Sequence, residues 1–349
     1  MKKRIWFVIL VLGVIWAGVC SRTVVAQETK VEDFYKGATI RFIIPYEPGG
    51  NHDLWARMLS PSFEKQTGAK VVVENMPGAG GLVGGGYLYS LAKPDGLTLG
   101  VVNMPGMVIS NVLGFESAKF EVDEFSYIGR LTVTQQAAVI KKDSPIKSIA
   151  DMQKSATPIR FGATDPISLG AVGTVFFIEG FGLQGEIVLG YKGSKEYLRA
   201  LVAGKELDAV VSNVLDHVEN VKKGDYNFVA MTSKKRNPDF PQIPTIWEQG
   251  SLKQEGKNLF DLLNIIVESG RTVIAPPRVP EARRAFLEKV LSNSLKDPTV
   301  MDWVRKAGFN APPLAYAEYT ELMTKLKEIV PKSERPKISS MMKKYVGTY

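Results

Sequence analysis

Residues 39–45 (TIRFIIP) form a β-branched, apolar run that stops at Pro45, which is the pattern of a strand. Beyond a glycine-rich turn, Leu54, Met58 and Leu59 fall at helical spacing within residues 53–65. Residues 70–74 (KVVVE) predict a second strand, residues 78–81 a second turn, and the stretch through residues 87–92 a helix. A third strand follows over residues 97–102. From Gln135 the pattern starts afresh, with strands at 137–141, 159–163, 187–189, 207–212 and 228–232. Between them, residues 148–153, 169–181 and 195–203 are helical in spacing. Residues 237–245 (NPDFPQIPT) hold three prolines and read as an irregular connection. Residues 271–275 are strand-like again, and 281–294, 299–307 and 316–329 read as helices.

This alternation predicts an α/β protein. Successive strand–turn–helix units imply parallel strands with helices across their faces, and ligands of such sheets sit beyond the carboxyl ends of the strands. Two glycine-rich turns fall at that edge: Pro48-Gly49-Gly50-Asn51-His52-Asp53, and Asn75-Met76-Pro77-Gly78-Ala79-Gly80-Gly81. Each opens a helix, where unpaired amides and the positive end of the helix dipole favour an anion. The competing reading of the first turn is a plain tight turn capped by Asn51 or Asp53. The second turn misses the dinucleotide pattern, because with Gly78 first and Gly80 second the sixth position is Val83. No Lys-Ser or Lys-Thr follows it, so it is no nucleotide P-loop either. Two amide-lined turns on one edge therefore point to a carboxylate cradle, and Gly49→Val or Gly80→Val is expected to abolish binding. In the second half, Thr164 and Ser168 lie in a strand-to-helix junction (GATDPISLGAVG), Tyr191, Gly193 and Ser194 in another, and Asp208, Ser212 and Asn213 border a strand.

The 349 residues, 45% hydrophobic and 23% charged, leave room for two domains. Lys2, Lys3 and Arg4, an uncharged run over residues 5–19 and Val24-Val25-Ala26 before Gln27 describe a signal peptide over residues 1–26, cleaved on export to the periplasm. The apolar run falls short of the roughly 20 residues of a spanning helix. Lipid attachment at Cys20 fits less well, because Val19 stands where lipoprotein signals carry a small residue. Cleavage removes four positive charges and no negative one, taking the net charge from +8 to +4. No segment concentrates Lys and Arg among aromatics, which argues against nucleic acid as a partner. The only histidines are His52 and His217, with no acidic spacing around them that resembles a metal site, and no Gly-x-Ser-x-Gly elbow occurs. No catalytic residue, metal or cofactor is expected. His52 is expected at the surface or the rim of a cleft.

The order Pro45-Tyr46-x-Pro48-Gly49-Gly50-x-x-Asp53-x-x-Ala56-Arg57 resembles the first loop and helix of the tripartite tricarboxylate transporter solute receptors, the Bug or TctC family. Val72-Val73-Glu74-Asn75-x-Pro77-Gly78-Ala79-Gly80-Gly81 is similar to that family's second loop, and Lys93-Pro94-Asp95-Gly96-Leu97-Thr98-Leu99 to its next turn and strand. Tyr191-Lys192-Gly193, Gly204-x-x-x-Asp208 and Pro241-x-x-Pro244-Thr245-x-x-Glu248-x-Gly250 continue the match in order. The resemblance implies a two-lobed periplasmic binding protein of type II-like, Venus-flytrap form with strands crossing between lobes. Residues 27–131 plus 253–349 would make the first lobe and 132–252 the second. It implies a ligand carboxylate held by Tyr46, Gly49, Gly50, Asp53, Asn75, Ala79 and Gly80. The second lobe would add Thr164, Ser168, Tyr191, Gly193, Ser194, Asp208, Ser212 and Asn213. A monomer that delivers its acid to membrane permease subunits is implied; a sensor that presents the acid to a membrane kinase is the alternative. The chain departs from the family at Asp165-Pro166-Ile167, where an isoleucine near the cleft favours an apolar or aromatic acid over citrate.

Overall fold

The computed structural model describes residues 30–249, 252–309 and 314–348. The expected signal peptide and Cys20 lie outside the described residues, and no described helix is long and apolar enough to cross a membrane.

The described residues contain ten strands in two five-stranded sheets. The first contains β1 (Thr39–Ile44), β2 (Lys70–Asn75), β3 (Thr98–Asn103), β4 (Ser126–Thr132) and β10 (Arg271–Ala275), in the order β2-β1-β3-β10-β4. The second contains β5 (Gln136–Lys141), β6 (Ile159–Gly162), β7 (Gly185–Val188), β8 (Ala209–Asn213) and β9 (Tyr226–Met231), in the order β7-β6-β8-β5-β9. This is the two-lobed α/β architecture expected from the sequence. β1 pairs in parallel with β2 and β3, and β6 with β7 and β8. The fourth strand of each sheet runs against its neighbours: β10 returns after the second sheet to lie between β3 and β4, and β5, which follows β4 directly, lies between β8 and β9. An antiparallel insert brings its first residue to the carboxyl ends of the parallel strands. Arg271 therefore lies opposite Asn103 and Thr132, and Gln136 opposite Asn213.

Side chains alternate across each strand, so each sheet feeds two cores. In β1, Phe42 and Ile44 enter one cluster with Trp55, Phe63 and Leu287, while Ile43 enters another. In β5, Ala137 and Val139 face one side, Ala138 and Ile140 the other. The cluster holding Ile43 is shared by both sheets and extends through Phe161, Phe177, Phe260 and Met342. The helix Gln254–Ser269 lies against the helix Leu169–Phe181 so closely that a Cβ on Gly256 would stand 2.4 Å from the Gly180 carbonyl oxygen. The C-terminal helix Arg335–Val346 reaches the same helix, with Lys344 Nζ 2.8 Å and Tyr345 Oη 2.5 Å from Glu179 Oε1.

The strand-and-helix reading of the sequence missed two helices that matter. Met104–Val112 follows β3 directly, and Gln254–Ser269 precedes β10. Pro105 in the first turn of the former is a helix-start signal. The latter carries a helical pattern that the reading passed over, with polar Lys257, Asp261, Asn264 and Glu268 three or four residues apart and Phe260, Leu263, Ile266 and Val267 buried on the other side.

Candidate functional site

The first glycine-rich turn leads from β1 into the helix Asn51–Thr67, and Gly49 adopts φ +80 there. Asp53, only 2% exposed, sits three residues into this helix. Its Oδ2 accepts from the Gly49 amide at 2.9 Å and from Arg57 Nε at 2.9 Å. Its Oδ1 accepts from Asn75 Nδ2 at 3.1 Å, and the same amide nitrogen donates to the Tyr46 carbonyl at 3.0 Å. The Arg57 guanidinium, with the Gly49 amide and Asn75, holds the carboxyl below the usual aspartate range against the opposing effect of burial. Asp53 and Asn75 thus tie the two glycine-rich turns together, and the Gly49 amide is engaged within the protein.

The second turn runs through left-handed backbone at Ala79, Gly80 and Gly81 before the helix Leu82–Ser90. Ala79 and Gly80 are exposed, and Gly80, like Gly49, has open space where a side chain would stand. Substitution at either position meets backbone strain rather than a clash. Gly81 is different, since a Cβ there would lie 2.7 Å from Tyr46 Oη. Tyr46 is a hub: its ring stacks on His52 at 4.2 Å between centroids, and its hydroxyl accepts from the Asn103 amide at 3.3 Å. Burial pushes its phenol up to about 12.

A cavity of about 300 Å³ lies between the two sheets. His52, Asn103, Pro105, Gly106, Ile109, Thr132, Thr134, Gly270 and Arg271 line it from the first sheet and its helices, and Ile167, Ser168 and Leu169 from the second half. None of its described lining residues is acidic. The helices Asn51–Thr67, Met104–Val112 and Leu169–Phe181 all begin at its wall. His52, expected at the surface or rim, is instead partly buried in this wall, with Nε2 enclosed and unpaired. Burial, with a contribution from Arg271, pushes its imidazole down to about 3. Arg271 Nε is likewise enclosed and without an acceptor, and burial lowers its guanidinium to about 10, still fully charged at neutral pH.

Ser168 also borders a smaller cavity of about 150 Å³ at the carboxyl ends of β6 and β8, with Gln136, Thr164, Ser212, Asn213 and Asp216. Ser168 accepts from the Ala171 amide as a helix cap, and Asn213 accepts from Leu215 N. Tyr197 Oη and Ser212 Oγ are 2.7 Å apart, and Thr164 Oγ1 donates to Asp165 at 2.9 Å. Burial holds the Asp216 carboxyl above its ordinary range, with Ser194 acting in the opposite direction. Gly193 precedes that helix, Ser194–Ala203, in extended backbone. Tyr191 donates to Glu206 at 3.3 Å. Asp208 is not among these groups. It stands at the other end of β8 from Asn213, where both of its oxygens pair with Arg160 at 2.9 Å. Its carboxylate serves the sheet, not the cavity. The sequence reading also missed Asn103, Pro105, Gly106, Thr132, Thr134 and Arg271. Pro105 just after a strand was the one available signal; the others come together only through strand pairing.

The half-buried His52 and the fully buried His217 are both neutral, which makes stability depend on pH. Unfolded, each takes a proton near pH 6.5; folded, burial holds His52 to about 3 and His217 to about 4. The unfolded chain then binds more protons below pH 6.5, so stability is level above that pH and falls as acid is added. His217 is fully buried, and its share of the loss approaches about 3 kcal/mol once the pH is below 4. Urea melts between pH 4.5 and 7.5 should show this slope, and His217→Phe should reduce it. A stability constant from pH 7 to pH 5 would contradict it.

Residues 55–334 match the model of the Tripartite tricarboxylate transporter family receptor. A protein of Agrobacterium vitis, described as a UPF0065 protein in the TAR-I ttuE-ttuC' intergenic region, is 27% identical over 84% of this chain and 81% of its own. A solved TctC solute binding protein from Polaromonas, without ligand, superposes with a TM-score of 0.72 at 17% identity, over 89% of this chain and 99% of that one. MatC from Rhodopseudomonas palustris, with bound malate, gives a TM-score of 0.56 at 21% identity over 87% of this chain and 99% of its own. With a match spanning most of its length and a two-sheet fold built around an anion-favouring cleft, the chain belongs to the tripartite tricarboxylate transporter receptor family.

Proposed function

We propose that this protein is a periplasmic receptor that captures a small carboxylate and hands it to the permease of a tripartite tricarboxylate-type transporter. The observation that carries this reading is the cavity between the sheets, which contains a half-buried arginine with an enclosed Nε, begins three helices and has no acid among its described lining residues. Its electrostatics favour a guest of negative charge. Malate in MatC agrees with such a guest. The protein acts by binding alone. Thr164, Ser168, Ser212 and Asn213 offer hydroxyl and amide groups to whatever part of the ligand reaches the smaller cavity. Hydrogen bonds to a charged acceptor contribute roughly 1.5–3 kcal/mol each, so a few of them support micromolar affinity after ordering costs. A ligand that touches both halves favours the state in which they are closest, and that closed state is what a permease recognises.

The test is uptake. A strain lacking this chain should lose accumulation of the acid that is released from purified, denatured receptor, and the restored gene should recover it. Normal uptake without the chain would reject the transport role.

A further inference from the structure

Among the described arginines that are partly or fully buried, only Arg271 and Arg283 lack a carboxylate partner, and Arg283 is met instead by the Asp95 carbonyl and the Phe34 ring. Arg41 meets Glu74, Arg130 meets Glu268, Arg160 meets Asp208, and Arg284 meets Glu281 and Glu288. Among the described residues, no carboxylate pairs with Arg271. Its guanidinium carbon lies 5.5 Å from the centre of the Phe309 ring, and its neighbours in the cavity are the neutral His52, Asn103 and threonines. An enclosed cation without a counter-charge costs stability unless something neutralises it. The antiparallel insertion of β10 is what carries it to the ligand edge, opposite Asn103 and Thr132. The same cavity has an apolar wall of Pro105, Ile109, Ile167 and Leu169.

Resting on the carboxylate-receptor reading, we propose that Arg271 pairs directly with the single carboxylate of a ligand whose remaining body is apolar and seats against Ile109, Ile167 and Leu169. The class is an aromatic or branched aliphatic monoacid. A tricarboxylate brings two further charges into a cavity that offers one guanidinium, and against isoleucine and leucine they lose hydration without a partner. His52 Nε2, enclosed beside the same cavity, is placed to meet the ligand as a neutral group. Arg271 is thus a specificity-determining residue, retained at a cost to the empty protein.

Calorimetric titration and thermal melts of the mature protein with phenylacetate, benzoate, 3-methylbutanoate, malate, citrate and the neutral phenylacetamide test this. At least one of the apolar-bodied acids should bind ten-fold or more tighter than citrate and malate. Arg271→Met should weaken that acid about 100-fold, the loss typical of removing one partner of a buried charged pair. It should leave phenylacetamide within three-fold, and Arg271→Lys should retain part of the acid affinity. Without ligand, Arg271→Met should melt a few degrees higher than wild type, an effect that a purely structural arginine would reverse. Ile167→Ser should narrow the preference for the apolar acids over malate. Tightest binding of citrate or malate, or acid affinity in Arg271→Met within three-fold of wild type, overturns the inference and leaves the receptor reading standing. Failure of every acid to bind overturns both.

Discussion

Gly256→Val should cost about 4 kcal/mol or more and leave little folded protein at ordinary temperatures. Gly256 is buried near the start of the helix Gln254–Ser269, where this helix crosses Leu169–Phe181. A Cβ there would lie 2.4 Å from the Gly180 carbonyl oxygen and 3.2 Å from Gly180 Cα. The obstacle is backbone in the next helix, so no rotamer change relieves it. The helices must separate, and with them the contacts of Phe260 with Phe177, Phe181 and Trp247 that join the two halves of the core. Overpacking in ordinary cores costs about 1–3 kcal/mol, and contact with main chain places this case beyond that range. Gly256→Ala should show a smaller loss in the same direction. Gly86→Ala is the control: it lies in the helix Leu82–Ser90 with nothing within 4 Å of a new Cβ, and should stabilise by about 0.5–1 kcal/mol. Urea melts decide the matter, and a Gly256→Val midpoint equal to wild type would show that the crossing has slack.

Asp53→Ala should abolish ligand binding while destabilising the protein by about 1–2 kcal/mol, because the arginine it leaves is half exposed. One carboxylate holds the Gly49 amide, Arg57 and Asn75, and Asn75 holds the Tyr46 carbonyl. Its removal leaves those donors without their acceptor and releases both turns from each other. Tyr46 then loses its fixed place beside His52 and Asn103, so the cavity wall moves. Asp53→Asn keeps an acceptor but presents an N–H to donors, and should fall between. Because the folded carboxyl titrates below its ordinary value, this stabilisation is present above pH 3.8 and is lost as the pH falls through the lowered value. Melts and a ligand titration on the same sample separate the two effects. Retention of wild-type affinity in Asp53→Ala would show that the turns need no tie.

How much of this could be read without coordinates varies by element. The β1 pattern, with Phe42 and Ile44 on one face and Ile43 on the other, announces a strand buried on both sides. The two glycine-rich turns were equally plain, because only particular backbone conformations need residues such as Gly49, Gly80 and Gly81. The helix Gln254–Ser269 was legible too, since Lys257, Asp261, Asn264 and Glu268 repeat at helical spacing between buried apolar positions, and it was passed over. Neither Asn51 nor Asp53 caps the helix, whose N-cap is Gly50; Asp53 sits inside the first turn, reaches back to the Gly49 amide and adds a bond to the second turn that no local pattern encodes.

The order of strands and helices, the α/β class and the places where backbone approaches a ligand edge follow from local preference and hydrophobic period, which short windows of sequence contain. Which polar groups are consumed inside the protein and which remain for a guest is decided by tertiary structure. Asp53, Asn75 and Asp208 find partners through packing between segments distant in sequence, while Arg271 finds no carboxylate among the described residues because an antiparallel strand from late in the chain delivers it to a wall whose described residues include no acid. Charge pairing depends on distance in space, and distance in space is set by register and crossover, neither of which a linear sequence displays.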